Sequence, residues 1–476
     1  MAGNIISNDN GDAMVFCGTL IHATKASPMV ILQDQVIGVR KGKILFVQPK
    51  EDLDKLLDQH NLSKGCVKYL TKYQFVMPGL IDTHIHAPQS VYAGTALDLT
   101  LLDWLSRYTY PTEAKFSDLD FATHAYKKVV RRTLTCGTTT ATYFATIHKE
   151  SSLKLAEIAA DLGQRAFVGK VNADKNSPSN YIETLGQSLA DTEWFIEKMK
   201  DLDNPLIAPV ITPRFAITCS WELMTGLGEL AKKHNIRVQS HISENRDEIK
   251  SVLEAYPDCK NYTDVYDKCG LMTDKTLMAH CVYLDDDEIQ TFKDRGSAMS
   301  HCPCSNFSLR SGVMDCRKMK DSGVKLGLGT DVSGGYNPSM FGAIRDAVTA
   351  TNVQSIQHLP EHPYRHLDFK EIFQLATLGG SEVLGIEDTV GNFEVGKEFD
   401  ALLVTMDTED SPFEIFENAA YEDSLEVSLK SVVNFQDDVV QKFFFRGDDR
   451  NIEEVYVCGR KVKPFKDEET KQQQQQ

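Results

Sequence analysis

From residue 79 to about residue 388, short apolar runs alternate with segments of helical periodicity. Eight such runs stand at positions 80–86, 138–144, 165–171, 206–212, 237–242, 276–281, 297–301 and 324–330. Apolar runs of this length between helices are typical of parallel strands that are buried on both faces. Eight strand and helix units in succession predict an α/β fold, the (β/α)8 TIM barrel.

Two of the helical segments have visible ends. The apolar residues of Leu155–Leu162 recur at helical spacing, and the pattern stops at Gly163. Asp285 and Glu288 have the spacing of a capping box, for a helix that Gly296 would close. Both segments therefore read as helices between barrel strands.

Both ends of the chain have β-like patterns. Residues 36–47 predict a hairpin, and residues 400–404 and 455–460 predict further strands. A β fragment at each end favours one discontinuous, small β-sandwich-like domain beside the barrel. The predicted division is 1–76 plus 389–470 for this domain, 77–388 for the catalytic barrel and 471–476 for a disordered polyglutamine tail.

Composition excludes some classes of partner. With 51 basic and 68 acidic residues, the formal charge is -17. Such a surface repels phosphate backbones and anionic membranes, which argues against nucleic acid or lipid as the main partner. No apolar run approaches the roughly 18 to 20 residues of a membrane span, and the 11 cysteines are an odd number spread along the chain. These features predict a cytoplasmic protein with reduced thiols.

Side chains that can bind a metal stand where predicted strands end. His84 and His86 end the first run, His241 ends the fifth and Asp331 follows the eighth. Barrel enzymes place catalytic groups at these ends, and three imidazoles with a carboxylate suit zinc with an open position for water. We expect one Zn²⁺ per chain, bound by these four residues. Asp331 would also accept a proton from the water that the metal acidifies.

Further polar residues follow other strands. His280 ends the sixth run and is expected to contact the metal-bound water, with a role as fifth ligand as the alternative. Glu244, three residues after His241, is expected to carry protons during catalysis. Alternatively, Glu244 lies at the N-terminus of a helix, where the helix dipole stabilises its negative charge. His301, which ends the seventh run, and Asn306 are expected to line the pocket.

Two features suggest other kinds of metal site. Cys302 and Cys304 resemble a thiolate pair, but zinc deaminases that use paired cysteines have two residues between them, so packing is the preferred role. Lys170 at a strand end could be a carboxylated lysine that bridges two metals. A lysine at the pocket edge or facing a helix is favoured, because Glu244 suits a one-metal mechanism.

Taken together, these motifs resemble the amidohydrolase superfamily and, within it, the guanine deaminase family. The segments that carry the resemblance are 78–89, 102–105, 110–113, 137–140, 212–216, 240–244, 301–306 and 329–335. The His-x-His and Gly-Thr-Asp elements mark only the superfamily. Ala87-Pro88-Gln89 and Pro213-Arg214-Phe215 are far more specific.

The resemblance implies zinc-dependent hydrolysis of guanine to xanthine and ammonia, in purine catabolism, by a homodimer. Gln89 and Arg214 would hydrogen-bond the polar edge of the purine, and Phe215 would pack on the site. The implied substrate-binding residues are His86, Gln89, Arg214, Phe215, His241 and Asp331. A flat, uncharged ring needs an apolar slot with a few directed donors, and the arginine fork suits the O6 and N7 acceptors. Alternatively, Arg214 belongs to a surface ion pair and Gln89 caps a loop.

Two other functions stay open. One is another one-metal aminohydrolase of the same superfamily, acting on a different purine, a pterin or a triazine. Gln89 and Arg214 discriminate against it, because donors built for a carbonyl would stay unpaired on adenine. The other is a catalytically dead scaffold, for which we would expect missing ligands; all of the expected ligands are present.

Overall fold

The computed structural model describes residues 13–359, 364–413 and 435–465. Two units separate by their internal contacts, Met1–Gly79 with Asp388–Gln476 and Leu80–Glu387. The predicted polyglutamine tail lies outside the described residues. Within the described ranges, no helix has both the length and the apolar composition that a bilayer span requires.

The strands are β1 (Ala13–His22), β2 (Val30–Arg40), β3 (Lys43–Pro49), β4 (Val67–Tyr69), β5 (Gln74–Pro78), β6 (Leu80–His86), β7 (Thr138–Phe144), β8 (Arg165–Gly169), β9 (Val171–Asn172), β10 (Ile207–Pro213), β11 (Arg237–Ile242), β12 (Thr276–His280), β13 (Ala298–His301), β14 (Lys325–Leu328), β15 (Ala401–Thr405), β16 (Ile452–Val457) and β17 (Arg460–Lys463). The α-helices are α1 (Leu53–Gln59), α2 (Leu101–Trp104), α3 (Tyr110–Glu113), α4 (Leu119–Thr135), α5 (Lys149–Leu162), α6 (Leu185–Asp201), α7 (Trp221–His234), α8 (Arg246–Ala255), α9 (Tyr262–Lys268), α10 (Asp286–Arg295), α11 (Pro303–Ser308), α12 (Cys316–Asp321), α13 (Met340–His358), α14 (Phe369–Leu375), α15 (Leu378–Leu384) and α16 (Phe435–Arg446).

The larger unit is a barrel of parallel strands. Hydrogen-bonded neighbours follow chain order from β6 through β7, β8 and β10 to β14, and short β9 pairs with β10. Two hydrogen bonds connect the last strand region to the first strand. Asp331 N–H donates to His84 O at 2.8 Å, and the Thr83 hydroxyl donates to Leu328 O at 2.8 Å. The sheet is nearly closed, and the predicted (β/α)8 barrel is confirmed.

Burial explains why these segments form the barrel. Every residue of β7 is buried, although four of its seven residues are threonine. Threonine is β-branched and stiff at χ1, which favours a strand. The surrounding helices bury one face: α4 buries Ala122, Tyr126, Val129 and Val130 at helical spacing. Apolar helix faces thus cover the outside of the sheet.

Both predicted helix ends are confirmed. Helix α5 ends at Leu162, and Gly163 follows with φ of +80°, a left-handed conformation that glycine adopts without a Cβ clash. Asp285 and Glu288 form a complete capping box at the start of α10, which closes at Gly296.

The third predicted strand is interrupted. Strand β8 ends at Gly169 and β9 begins at Val171, so Lys170 breaks the run 165–171. The buried ammonium group of Lys170 donates to Val171 O at 3.0 Å and to Glu183 Oε1 at 2.6 Å. A buried ammonium group needs polar partners, and these two oxygens supply them.

The smaller unit is a mixed sheet with the order β17-β16-β15-β5-β1-β2-β3, and β4 also pairs with β1. The predicted hairpin is present as β2 and β3, which turn at Lys41 and Gly42, both with positive φ. Strand β15 pairs antiparallel with β5 and with β16, so both ends of the chain contribute to the same sheet. The predicted second β unit is confirmed, in the form of a single sheet that branches at β1.

Candidate active site

Four side chains with metal-binding atoms meet at the carboxyl ends of barrel strands. His84 and His86 lie in β6, His241 lies in β11 and Asp331 follows β14. Alternate residues of a strand face the same side, which brings His84 and His86 together. One ligand atom from each of the four lies within 4.8 Å of the others. We call these four residues, all expected as ligands from the sequence, the ligand cluster.

The spacing inside the ligand cluster fits a metal ion. Asp331 Oδ1 lies 3.1 Å from His84 Nε2 and 3.4 Å from His86 Nε2, and His86 Nε2 lies 3.0 Å from His241 Nε2. The ligand atoms of a tetrahedral zinc, with bonds of about 2.0–2.1 Å, are about 3.3 Å apart. Three imidazoles and one carboxylate are also a donor set that zinc and similar cations accept. The residues therefore fit a divalent metal.

The protonation states in the ligand cluster suit metal binding. Burial lowers the pKa of His84, and it lowers the pKa of His86 and of His241 well below the usual value. His241 donates from Nδ1 to Arg214 O at 2.6 Å, so the lone pair of the neutral ring is at Nε2, inside the cluster. Burial alone would raise the pKa of the Asp331 carboxyl, but the neighbouring imidazoles, His84 first, outweigh it and lower this pKa. Neutral imidazoles and an ionised carboxylate are the forms that bind metals.

Glu244 and His280 flank the ligand cluster. Glu244 accepts from the Ser311 hydroxyl at Oε1, 2.7 Å away, and its Oε2 lies 3.6 Å from His280 Nε2. His280 donates from Nδ1 to Asn306 Oδ1 at 2.9 Å, and its Nε2 lies 3.8 Å from Asp331 Oδ2. Burial raises the pKa of Glu244. Burial alone would lower the pKa of His280, but Glu244 and Asp331 outweigh it and raise this pKa.

A cavity opens beside the ligand cluster. Its lining residues are His86, Gln89, Leu101, Trp104, Leu105, Arg214, Phe215, His241, Glu244, Glu248, His280, Leu309 and Asp331. Apolar side chains supply much of the wall, and the polar groups are concentrated around the cluster and at Gln89 and Arg214. Small-molecule sites commonly combine apolar walls with a few directed polar groups in this way.

One wall of the cavity rests on three linked polar side chains. Glu113 is fully buried, and it accepts from Gln89 Nε2 at 3.0 Å and from Arg214 NH1 at 2.7 Å. The Tyr181 hydroxyl donates to the same carboxylate. Ser333 N–H donates to Gln89 Oε1 at 3.3 Å, which orients the carboxamide from its other end. We call Gln89, Glu113 and Arg214 the recognition wall; the ion pair of Arg214 is buried, not at the surface.

The remaining sequence candidates lie elsewhere. Lys170, bonded to Glu183, is not part of the ligand cluster. Cys302 and Cys304 are buried free thiols. His301 is buried, neither of its ring nitrogens has a hydrogen-bond partner among the described residues, and burial lowers its pKa to about 3. These side chains do not line the cavity in the described part of the chain.

Sequence reasoning assigned no role to several residues of the connection between β6 and α4. Leu101, Trp104 and Leu105 line the cavity from this connection, and Glu113 joins Gln89 to Arg214. The connection consists of four-residue helices, α2 and α3, around a π-helical turn, so it has no long periodic pattern. The available signal was the resemblance itself, since its segments 102–105 and 110–113 fall here.

Comparisons with known proteins agree with this geometry. The amidohydrolase family profile matches residues 75–462. The guanine deaminase of Mus musculus is 49% identical over 455 residues, which cover 95% of this chain and 97% of the relative. The guanine deaminase of Homo sapiens is 48% identical with the same coverage. The crystal structure of guanine deaminase from C. acetobutylicum with bound guanine in the active site has a TM-score of 0.82 and 35% identity, covering 94% of this chain and 100% of that chain. The present chain therefore belongs to the amidohydrolase family, among the guanine deaminases.

Proposed function

We propose that this protein is a zinc-dependent guanine deaminase, which hydrolyses guanine to xanthine and ammonia. The observation that carries the proposal is that the ligand cluster and the recognition wall border the same cavity. A hydrolytic metal site thus lies beside donors that fit an oxopurine. The 49% identity to a guanine deaminase, over 95% of this chain, supports the same activity.

Guanine would lie flat in the cavity. Apolar side chains, among them Phe215 and Trp104, cover its ring faces, and the donors of Arg214 and Gln89 meet its polar edge. The opposite end of the ring, with the C2 amino group, then faces the ligand cluster. The proposed substrate contacts are His86, Gln89, Arg214, Phe215, His241 and Asp331.

The ligand cluster would hold one zinc ion per chain through His84, His86, His241 and Asp331. When bound, zinc is a Lewis acid that lets water act as a nucleophile at neutral pH. Asp331 accepts the proton of this water. His280, oriented by Asn306, hydrogen-bonds the water and then the oxygen that develops negative charge during attack on C2.

Glu244 carries protons between the reacting atoms. It protonates ring N3 during attack on C2; the ionised carboxylate then takes the remaining proton of the attacking oxygen as the C2 carbonyl forms and passes it to the amino group, which leaves as ammonia. The proton that Asp331 accepted then returns Glu244 to its protonated form. Ser311 holds Oε1 at 2.7 Å, which leaves Oε2 on the His280 side of the carboxylate. Because burial raises the pKa of Glu244, this carboxyl holds a proton at higher pH than an exposed glutamate does.

We further propose that the protein acts in guanine catabolism as a cytoplasmic homodimer. The family resemblance supports the pathway and the dimer. All 11 cysteines are thiols and not members of disulfides, which supports a reducing compartment.

The test measures ammonia release by purified protein of known metal content, with guanine and adenine in parallel. We expect release from guanine alone and one zinc ion per chain. Release from neither purine, despite bound zinc, would contradict the proposed substrate and favour another ring substrate of the aminohydrolases, such as a pterin or a triazine.

A further inference from the structure

Glu113 takes no part in the proposed proton transfers, yet its buried carboxylate is fully engaged. Oε1 accepts from Gln89 at 3.0 Å, and Oε2 accepts from Arg214 at 2.7 Å and from the Tyr181 hydroxyl. The guanidinium of Arg214 also lies 5.3 Å from the centroid of the Tyr110 ring. Both cavity-lining members of the recognition wall are therefore oriented by one carboxylate behind them.

This arrangement determines which groups the recognition wall presents to a ligand. The carbonyl of Gln89 accepts from Ser333 N–H, and one hydrogen of its Nε2 goes to Glu113, so a second Nε2 hydrogen remains for a ligand. Arg214 has only donors, and Glu113 engages one nitrogen of the fork. The wall thus presents mainly hydrogen-bond donors to the cavity.

We propose that Glu113 is a positioning residue that makes the site specific for a 6-oxopurine. The inference rests on the proposed function and names the residue that enforces its substrate class. A carbonyl at C6 and the ring atom N7 accept from such donors, whereas an amino group at C6 would set donor against donor.

A neutral amide at position 113 cannot keep the side chains of Gln89 and Arg214 in these orientations. Glutamine has one oxygen and one NH₂, so one of the two acceptor positions would become a donor. If the NH₂ faces Arg214, two donors oppose each other. If it faces Gln89, the Gln89 carboxamide must rotate, and its own NH₂ then faces the N–H of Ser333. Neither outcome alters a residue of the ligand cluster.

The test compares guanine with 2,6-diaminopurine, which has the same 2-amino leaving group but an amino group at C6. We expect Glu113→Gln to lower kcat/KM for guanine about 100-fold, with the larger part in KM, because donors lose their orientation. The preference for guanine over 2,6-diaminopurine should fall at least about tenfold. Zinc content should be unchanged. The Kd of hypoxanthine, which has the 6-oxo edge without the leaving group, should rise in parallel.

The matched control is Glu183→Gln. Glu183 is the carboxylate of another buried ion pair, 2.6 Å from Lys170, and it is not among the described residues that line the cavity. This variant should keep the substrate preference and the hypoxanthine Kd of the wild-type protein. If E113Q does not fold, Glu113→Asp keeps the charge but is one methylene too short to reach Gln89 and Arg214 together, and the same changes are expected.

A folded, zinc-loaded Glu113 variant that keeps the wild-type preference and hypoxanthine Kd would overturn the role of Glu113 alone. A wild-type protein that neither deaminates these purines nor binds hypoxanthine would overturn the proposed function, and this inference with it.

Discussion

The ligand cluster and the recognition wall border the same cavity, but the chain builds them in different ways. The ligand cluster takes its side chains from β6, from β11 and from Asp331, which follows β14. The register of the barrel strands determines the positions of these side chains. The wall takes Gln89 from a 3-10 segment, Glu113 from the four-residue helix α3 and Arg214 from the residue after β10. In the proposed function, the strand ends therefore provide the hydrolytic chemistry, and the connections largely choose the substrate.

The largest effect on turnover should come from removing one residue of the ligand cluster while the recognition wall stays intact. His84→Ala removes a ligand that is not among the described residues lining the cavity. We expect zinc to be lost and turnover to fall by about 10⁴-fold or more, since the metal contributes several kcal/mol to catalysis. Elemental analysis and ammonia release measure both changes. Hypoxanthine binding should change by less than about tenfold, since the wall is intact; a variant that keeps one zinc per chain would contradict the assignment of His84.

A Glu244 variant tests whether proton transfer can be lost while metal binding by the ligand cluster and purine binding by the recognition wall are kept. Glu244→Gln should lower kcat by about 10²–10⁴-fold, the usual contribution of a general acid–base group. Zinc content and hypoxanthine affinity should stay near the wild-type values, because Glu244 belongs to neither the ligand cluster nor the recognition wall. Near-normal kcat in this variant would rule out the proposed proton carrier.

The recognition wall can be weakened with the ligand cluster intact. Arg214→Lys keeps a positive charge but loses the planar fork that meets two acceptors. We expect kcat/KM for guanine to fall by about 30- to 100-fold, chiefly through KM, as for the loss of a charge-assisted hydrogen bond of about 2–3 kcal/mol. Steady-state kinetics with guanine checks this, and the metal content should not change. A variant with unaltered KM would show that Arg214 does not bind the purine.

The smallest effect on turnover is expected for a buried pair outside the cavity. Lys170→Met leaves the carboxylate of Glu183 without its ammonium partner and should lower the free energy of unfolding by about 3–5 kcal/mol. Burial already raises the pKa of Glu183. An acid whose folded pKa is raised loses stability as pH rises above its unfolded value of about 4.3, so the loss should be greater at about pH 8 than at about pH 5. Urea unfolding measures the stability, and kcat/KM should stay within about twofold; a larger loss of activity would place Lys170 in the site after all.

The contrast between the ligand cluster and the recognition wall also explains which features were predictable from the sequence. The barrel and the ligand cluster were predictable, because alternating strands and helices place residues such as His84, His241 and Asp331 at one end of a sheet. The contacts of Glu113, and with them its proposed role, were not predictable, because they depend on the path of a long connection in which a π-helical turn, Leu105–Thr109, separates two short helices. The break at Lys170 was also missed, since its partner Glu183 is 13 residues away in an irregular segment.

The hydrogen bond from His241 Nδ1 to Arg214 O joins the two regions. A metal that fixes the ring of His241 also fixes the carbonyl of Arg214, the residue that is proposed to contact the purine. Thermodynamic linkage is reciprocal, so any factor by which zinc tightens purine binding is the factor by which purine tightens zinc binding. Under the proposed function, loss of zinc would then lower purine affinity by a modest factor, below about tenfold, besides abolishing turnover, and bound purine would tighten metal binding by that same factor.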